Sequence, residues 1–172
     1  NNFGVNNKPN PNISVLLNIL STEFDYNNLA NINNVYIPLK YFSNDKYNNI
    51  ISCLANKFNL YIYLPTILKN NYIETAKKII QDATFKFNIY GVVISNISEL
   101  SIIPSSKLDI IGNFTLNLYN SYTAKELYNL NINTVTISPE LDKDAIMNLC
   151  NSTNINKELI VYGNIPVMTM NY

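Results

Sequence analysis

Apolar residues along this chain fall into two patterns that alternate. Short, continuous β-branched runs predict strands, and stretches with one apolar stripe at the 3.6-residue period predict helices. The apolar runs lie at residues 13–19, 35–39, 59–65, 90–95, 108–116, 133–138 and 158–167. Continuous runs are typical of parallel strands that helices cover on both faces of a sheet. The pattern therefore predicts an α/β fold of about seven strand–helix units.

Four stretches carry a single apolar stripe at helical spacing. The clearest stripe consists of Ile73, Ala76, Ile80, Ala83 and Phe87. A second stripe predicts a helix that Ser43 caps, with Tyr47, Ile50, Ile51, Leu54 and Phe58 facing inward. A third predicts a helix from Ser121 with Ala124, Leu127 and Tyr128 inward. The fourth predicts a helix over residues 143–150 with Ile146, Leu149 and Cys150 inward. Each predicted helix follows an apolar run, as in repeated strand–helix units.

The spacing of the repeats favours one architecture among parallel α/β folds. A period of roughly 24–30 residues is short for a dinucleotide-binding fold and fits a parallel (β/α) barrel of the TIM-barrel type. Seven strands cannot close an eight-stranded barrel, so we expect an incomplete barrel whose eighth strand lies beyond Tyr172.

The two ends of the chain differ in character. Residues 1–12 are polar with two prolines and predict a linker or the edge of a cloned piece, while residues 13–172 predict a barrel fragment of a larger protein. An incomplete barrel exposes strand edges. A homodimer through the open barrel edge is therefore expected.

Charge and composition exclude several classes of partner. Twelve lysines balance twelve acidic residues, and no basic stripe of the kind that binds nucleic-acid phosphates is visible. No apolar run approaches the roughly 20 residues of a membrane span, and no signal peptide is present. A cytoplasmic protein without a membrane partner is expected. Cys53 and Cys150 form neither a disulfide framework nor a metal motif, and we predict that both are buried small apolar side chains.

Catalytic chemistry is restricted by the absence of histidine. A Ser-His-Asp triad and a Cys-His pair are both excluded, and no carboxylate pair with zinc-ligand spacing occurs. Glu140 remains as a candidate for a lone general base. An alternative interpretation is that its carboxylate favours the first turn of the following helix. We expect no metal site in these residues.

Three stretches together carry a more specific pattern: NFTLNLYNSYTAKEL (113–127), VTISPEL (135–141) and ELIVYGNIPVMTMNY (158–172). In this order and spacing they resemble the peptidase U32 family, often called collagenase-like proteases. VYIPLKYF (35–42), YLPTIL (63–68) and VVISNISEL (92–100) are also similar to family segments. The resemblance covers residues 13–172 and implies a bacterial protein with a barrel fold.

The resemblance also implies a set of recurrent loop residues, of which all except Glu140 and Met168 are predicted binding residues. They fall on Asn96, Asn117, Asn120, Ser121, Ser138, Glu140, Tyr162, Gly163, Met168 and Tyr172. The family's first cluster cysteine is expected directly after the last of these. The frequent arginines of the family are replaced by Thr66 and Asn164, which puts an anion-binding role at those positions in doubt.

Three functions stay open on this resemblance. The first is a hydrolase, a U32 peptidase with a peptide substrate. The second is the barrel part of an oxygen-independent hydroxylase acting on RNA, whose iron–sulfur cluster is bound by cysteines downstream of this segment. The third is a non-catalytic binding or scaffolding barrel, which the uncharged loop set favours. In each case we expect no catalysis and no cofactor within these 172 residues alone.

Overall fold

The computed structural model describes residues 11–104 and 107–164. The strands are β1 (Ser14–Leu16), β2 (Asn34–Pro38), β3 (Asn59–Tyr63), β4 (Ile89–Ile94), β5 (Asp109–Gly112), β6 (Thr134–Thr136) and β7 (Asn156–Glu158). The α-helices are α1 (Asn48–Lys57), α2 (Ile73–Lys86), α3 (Ser121–Asn129) and α4 (Lys143–Ser152). Short 3-10 turns fill several of the connections. No helix in the described ranges is both long and apolar enough to cross a membrane.

The strands form one parallel sheet in sequential order, from β1 at one edge to β7 at the other. The sheet curls strongly. The curl is shown by the hydroxyl of Tyr36 on β2, which lies 2.7 Å from Oε1 of Glu158 on β7. Sequential parallel order with intervening helices, curled in this way, is a half-barrel. The predicted incomplete α/β barrel of the TIM-barrel type is confirmed.

The outer face of the sheet carries the main hydrophobic core. Successive residues of a strand point to opposite faces, so Leu60 and Ile62 of β3 both face outward and are fully buried. Ile80 and Ala83 of α2 belong to the same core, as the helical stripe predicts. This apolar layer fixes the helices against the sheet.

The inner face carries a smaller, tyrosine-rich cluster. Tyr36, Tyr61, Val93 and Ile111 are buried there, at alternate positions to the outward residues. The rings of Tyr36 and Tyr61 meet edge to face with centroids 5.2 Å apart, a favourable geometry for aromatic pairs. The inside of the half-barrel is therefore packed by rings with polar ends.

The predicted start of α1 is wrong. Ser43 ends the 3-10 turn Leu39–Ser43, and its hydroxyl donates to the carbonyl oxygen of Lys40. Asn44 instead caps the next short turn by accepting from the backbone N–H of Lys46. α1 itself begins at Asn48 without a side-chain cap, because the residues before it form these two short turns.

Both cysteines and one tyrosine lie on faces other than those predicted. Cys53 and Cys150 are exposed, so the prediction that they are buried is wrong. The buried face of α4 is centred on Leu149, and the next residue lies about 100° around the helix. Tyr128, predicted inward on α3, is 58% exposed because Ala124 and Leu127 alone form the buried face.

The last predicted strand is also displaced. The run at 158–167 is strongly apolar, yet β7 covers the polar residues Asn156–Glu158 and ends where the run begins. Glu158 enters the sheet because its carboxylate accepts from the hydroxyls of Tyr36 and Thr136. Val161 and Tyr162 beyond it are 91% and 96% exposed. Residues 165–167 and most of the predicted linker lie outside the described residues, so the boundary at residue 12 stays a prediction.

Candidate functional site

Polar side chains meet at the carboxyl ends of β3, β4 and β5. The side-chain amide of Asn113 donates to the hydroxyl of Tyr63 at 2.7 Å and to Oγ of Ser95 at 3.2 Å. Ser95 and Asn113 are each 4% exposed, and Glu99 is equally buried behind them. We refer to Tyr63, Ser95, Glu99 and Asn113 as the carboxyl-end cluster. Carboxyl ends of strands are where barrel folds place their functional groups.

Asn113 is held in place by its own backbone and side chain. Its N–H donates to the carbonyl oxygen of Ile94 at 2.7 Å, which extends the pairing of β4 and β5 by one residue. Its Oδ1 accepts from the N–H of Phe114 at 2.9 Å and begins the 3-10 turn Phe114–Leu116. With the oxygen used in this way, the NH₂ group faces Tyr63 and Ser95.

The loop after β4 is fixed by a capping box. Oε2 of Glu99 accepts from the backbone N–H groups of Ser95 at 2.7 Å and Asn96 at 3.2 Å, and Oδ1 of Asn96 accepts from Ser98 N–H at 3.0 Å. This reciprocal pattern starts the 3-10 turn Ile97–Ile102. The hydroxyl of Thr115 donates to the carbonyl oxygen of Ser95 at 2.8 Å and joins the loop to the next one.

Glu99 has the most unusual environment in this cluster. Its Oε1 is buried and has no hydrogen-bond partner among the residues that the structure describes. Burial raises the pKa of the carboxyl group to about 7, and the two backbone N–H groups oppose that rise. A buried carboxyl with one unpaired oxygen is more stable when it carries a proton. Burial also raises the pKa of Tyr63, and the nearby charge of Glu99 adds to the rise.

Glu140, the predicted general base, lies outside this cluster. Its side chain is exposed, and its Oε2 lies 3.4 Å from the hydroxyl of Tyr119. Its backbone N–H donates to Oγ of Ser138 at 3.4 Å, and Ser138 itself is buried. An exposed carboxylate with one long hydrogen bond is not held in a fixed orientation, so the role as a base stays a prediction.

Three other predicted binding residues shape the connection between β5 and α3. Asn117 adopts a left-handed conformation with φ of 54°, and its Oδ1 lies 3.4 Å from the hydroxyl of Tyr119. Asn120 caps α3 by accepting from Thr123 N–H at 2.9 Å, and Ser121 is the exposed first residue of that helix. These contacts explain the residues as parts of a loop and a cap, and they leave substrate binding at these positions a prediction.

The remaining predicted residues lie apart or outside the described residues. Asn96 adjoins the carboxyl-end cluster through Ser95. Tyr162 and Gly163 lie beyond β7 and make no described contact with the cluster. Met168 and Tyr172 lie outside the described residues.

Sequence reasoning missed Glu99, Tyr63 and Asn113 as site residues. One signal was available, because the spacing Asn96-x-x-Glu99 is that of a capping box. The contact between Tyr63 and Asn113 joins residues fifty positions apart. No local pattern indicates such a pair.

The described residues can be examined for side chains that could bind a metal ion or an iron–sulfur cluster. In the ranges 11–104 and 107–164 no group of three or more histidine, cysteine, aspartate or glutamate side chains comes together. Cys53 and Cys150 lie on α1 and α4, in the outer helical layer. An iron–sulfur cluster is usually held by four thiolates, so these side chains do not fit one.

Comparison with known proteins adds the identity of the family. The family model for peptidase family U32 matches residues 34–170, a span that includes β2 to β7 and the whole carboxyl-end cluster. No curated protein and no solved structure matches the chain. The matched span covers most of the sequence and contains the stretches on which the resemblance rested, except for the last two residues of 158–172, and the chain belongs to peptidase family U32.

Proposed function

We propose that this chain is the peptide-binding barrel region of a U32 peptidase and that it does not cleave the peptide bond by itself. The observation that carries the proposal is the carboxyl-end cluster, in which Asn113 links the ends of β3 and β4 through buried, uncharged polar groups. A peptide backbone is neutral and offers both N–H donors and C=O acceptors. Tyr63, which is only half-buried and is held by Asn113, brings a neutral hydroxyl of this cluster to the surface, where it can pair with a peptide group without burying a charge.

The proposed lack of cleavage follows from the acid–base groups at this end of the barrel. A general base must be within hydrogen-bond reach of the proton that it removes. Glu140 is exposed with one long contact, and Glu99 is sealed behind Ser95 and Asn96, whose N–H groups it binds. We assign Glu99 the part of a positioning residue that fixes the loop after β4.

The alternative of an iron–sulfur hydroxylase acting on RNA receives less support from these residues. The chain has as many acidic residues as lysines, whereas RNA binding draws on positively charged surfaces. A single-stranded RNA oligonucleotide therefore serves as the competing ligand in the test.

Binding of a fluorescently labelled peptide from denatured collagen tests the proposal, with anisotropy for binding and mass spectrometry for cleavage. We expect saturable binding, an intact peptide and no competition by the RNA. Asn113→Asp keeps the oxygen that accepts from Phe114 N–H and removes the NH₂ group, so we expect about tenfold weaker binding. Asn129→Asp, an exposed change on α3, is the matched control.

Several outcomes would overturn the proposal. Absence of peptide binding by the wild-type chain, or equal binding by Asn113→Asp and the control, would show that the cluster does not bind peptide. Cleavage of the peptide by the purified chain would overturn the non-catalytic part. Displacement of the peptide by RNA would favour the alternative.

A further inference from the structure

The amino-terminal end of the half-barrel contains a polar cavity. It has a volume of about 480 Å³ and lies between the starts of β4, β5 and β6, lined in part by Asn88, Tyr90, Lys107, Asp109 and Asn133. It is separate from the carboxyl-end cluster, which lies at the opposite ends of β4 and β5. This end of a barrel usually serves stability, so a polar cavity here requires an explanation.

Three strands build the wall beside this cavity. The side chain of Tyr61 on β3 lies across Gly91 of β4, and its hydroxyl donates to Oδ2 of Asp109 on β5 at 2.8 Å. A side chain at position 91 would occupy the space of the ring, because an added Cβ would lie 2.6 Å from Cε1 of Tyr61. The pairing of β3 and β4 shifts register at Leu60/Tyr61. Such irregularities re-aim side chains, often beside functional sites.

The aromatic part of the cavity is half open to solvent. The ring of Tyr90 is 51% exposed, and its centroid lies 5.5 Å from that of Tyr61. The buried ring of Tyr61 thus contacts the exposed ring of Tyr90 at a tilt of 51° and restricts its movement. A tyrosine held in this way offers a flat apolar face with little conformational freedom to lose.

The polar part of the cavity balances donors against acceptors. Asp109 uses Oδ2 for Tyr61, and its Oδ1 remains to accept from a ligand. Asn88 and Asn133 are exposed carboxamides that both donate and accept. The charge of Lys107 offsets that of Asp109, so a cation and an anion would each meet one group of like charge.

We propose that this amino-terminal cavity binds a neutral, polyhydroxylated ligand, namely a sugar ring packed on Tyr90. Hydroxyl groups donate and accept at once, which matches the mixed carboxylate, carboxamide and ammonium lining. The C–H face of a sugar ring is apolar and can pack on the exposed ring of Tyr90, while the polar lining meets the hydroxyl groups. The inference goes beyond the peptide-binding proposal and does not depend on it.

The test uses the whole chain with ¹³C-labelled tyrosine rings, observed by NMR. The probes are the methyl glycosides of glucose, galactose, mannose and N-acetylglucosamine, with sodium acetate and methylammonium chloride as charged probes. We expect at least one glycoside to shift the Tyr90 ring signals saturably, and neither charged probe to do so. Tyr90→Ala and Asp109→Asn should each weaken that glycoside about tenfold or more. In the Tyr90→Ala variant, binding is followed through the Tyr61 ring.

The variants are chosen to preserve the fold. Asn at position 109 still accepts from the Tyr61 hydroxyl, and Tyr128→Ala on α3 is the control for loss of an exposed tyrosine. Should either cavity variant unfold, Asn88→Ala and Asn133→Ala replace it, since both side chains are exposed. The inference is overturned when no glycoside shifts Tyr90 saturably, when a charged probe binds instead, or when the folded cavity variants bind as the control does.

Discussion

The two faces of the curled sheet are built on different physical principles. The outer face is an apolar layer in which fully buried side chains such as Ile62 and Ile80 pack between strands and helices. The inner face places tyrosines on β2 and β3 and joins their hydroxyls to the carboxylates of Glu158 and Asp109. Apolar packing is non-directional and scales with buried area, whereas these hydrogen bonds require particular partners at particular positions.

The difference indicates how an incomplete barrel keeps its curvature. Eight strands would fix the curl by closure, and here the contact between Tyr36 and Glu158 spans from β2 to β7 across the open side. Thr136 holds the second oxygen of the same carboxylate at 2.9 Å. We therefore expect outer-face changes to affect overall stability, and inner-face changes to affect both stability and curvature.

Two glycine-to-alanine substitutions, one on each face, should show the largest difference in the free energy of unfolding. At Gly91, on the inner face, an added Cβ would lie against the backbone oxygen of Asp109 as well as the Tyr61 ring. Backbone cannot move aside as a side chain can, so we expect Gly91→Ala to lower the free energy of unfolding by more than about 4 kcal/mol, or to prevent soluble expression. Urea denaturation followed by circular dichroism measures the effect.

Gly112, on the outer face, is the matched control for that substitution. Its added Cβ would first meet Cδ1 of Leu116 at 2.6 Å, the flexible end of a side chain. We expect a cost of about 1–3 kcal/mol for Gly112→Ala. Equal costs at the two glycines would contradict the proposed difference between the faces.

A cavity in the outer core should have the next largest effect. Ile62 is fully buried in that core, and Ile62→Ala should cost about 2–5 kcal/mol through lost burial and the cavity left behind. Because Ile62 lies in a cluster of apolar side chains, we expect the same cost at pH 5.5 and at pH 8. A cost that changes with pH would show that the two faces are coupled.

The outer face was largely predictable from the sequence. Its strands appear as continuous apolar runs, and the predicted stripe from Ile73 to Phe87 matches α2, Ile73–Lys86, almost to the residue. Both signals are periodic and local, and burial of one face follows from them directly.

The inner face and the candidate site were much less predictable. Tyr36 and Glu158 are 122 positions apart, and no local period records which strands approach one another. The same limit explains the error at β7, where the apolar run after Glu158 predicted a strand more strongly than the polar residues that form it. Glu99 was missed because the burial of its side chain results from tertiary packing, which no local period records.

The carboxyl-end cluster should respond to pH, unlike the outer core. The pKa of Glu99 is raised from 4.5 to about 7 by burial, so the folded state holds a proton that the unfolded state releases. Its contribution to stability is fully present below about pH 4.5 and is lost as pH rises through 7. From pH 5.5 to pH 8 the free energy of unfolding of the wild-type chain should therefore fall by about 1–2 kcal/mol more than that of Glu99→Gln. This variant keeps the capping box.

The control for this pH effect is Glu126→Gln, which removes an exposed carboxylate of α3. It should keep the wild-type pH dependence in urea denaturation. The explanation fails when Glu99→Gln and the wild-type chain lose the same stability over this interval.

Removal of one inner-face hydroxyl should give the smallest effect and the most direct test of curvature. Tyr36→Phe keeps the ring and its contact with Tyr61 but leaves Oε1 of Glu158 without the hydroxyl that donates to it. We expect a loss of about 1 kcal/mol in the free energy of unfolding, since one hydrogen bond to a part-buried carboxylate is lost while Thr136 still donates to its other oxygen. Tyr128→Phe on the exposed face of α3 should be neutral. Small-angle X-ray scattering should show a larger radius of gyration for Tyr36→Phe alone, because the contact across the open side is lost. An unchanged radius with the same loss of stability would mean that the contact stabilises the sheet without holding its curl, and the outer core would then have to set the curvature.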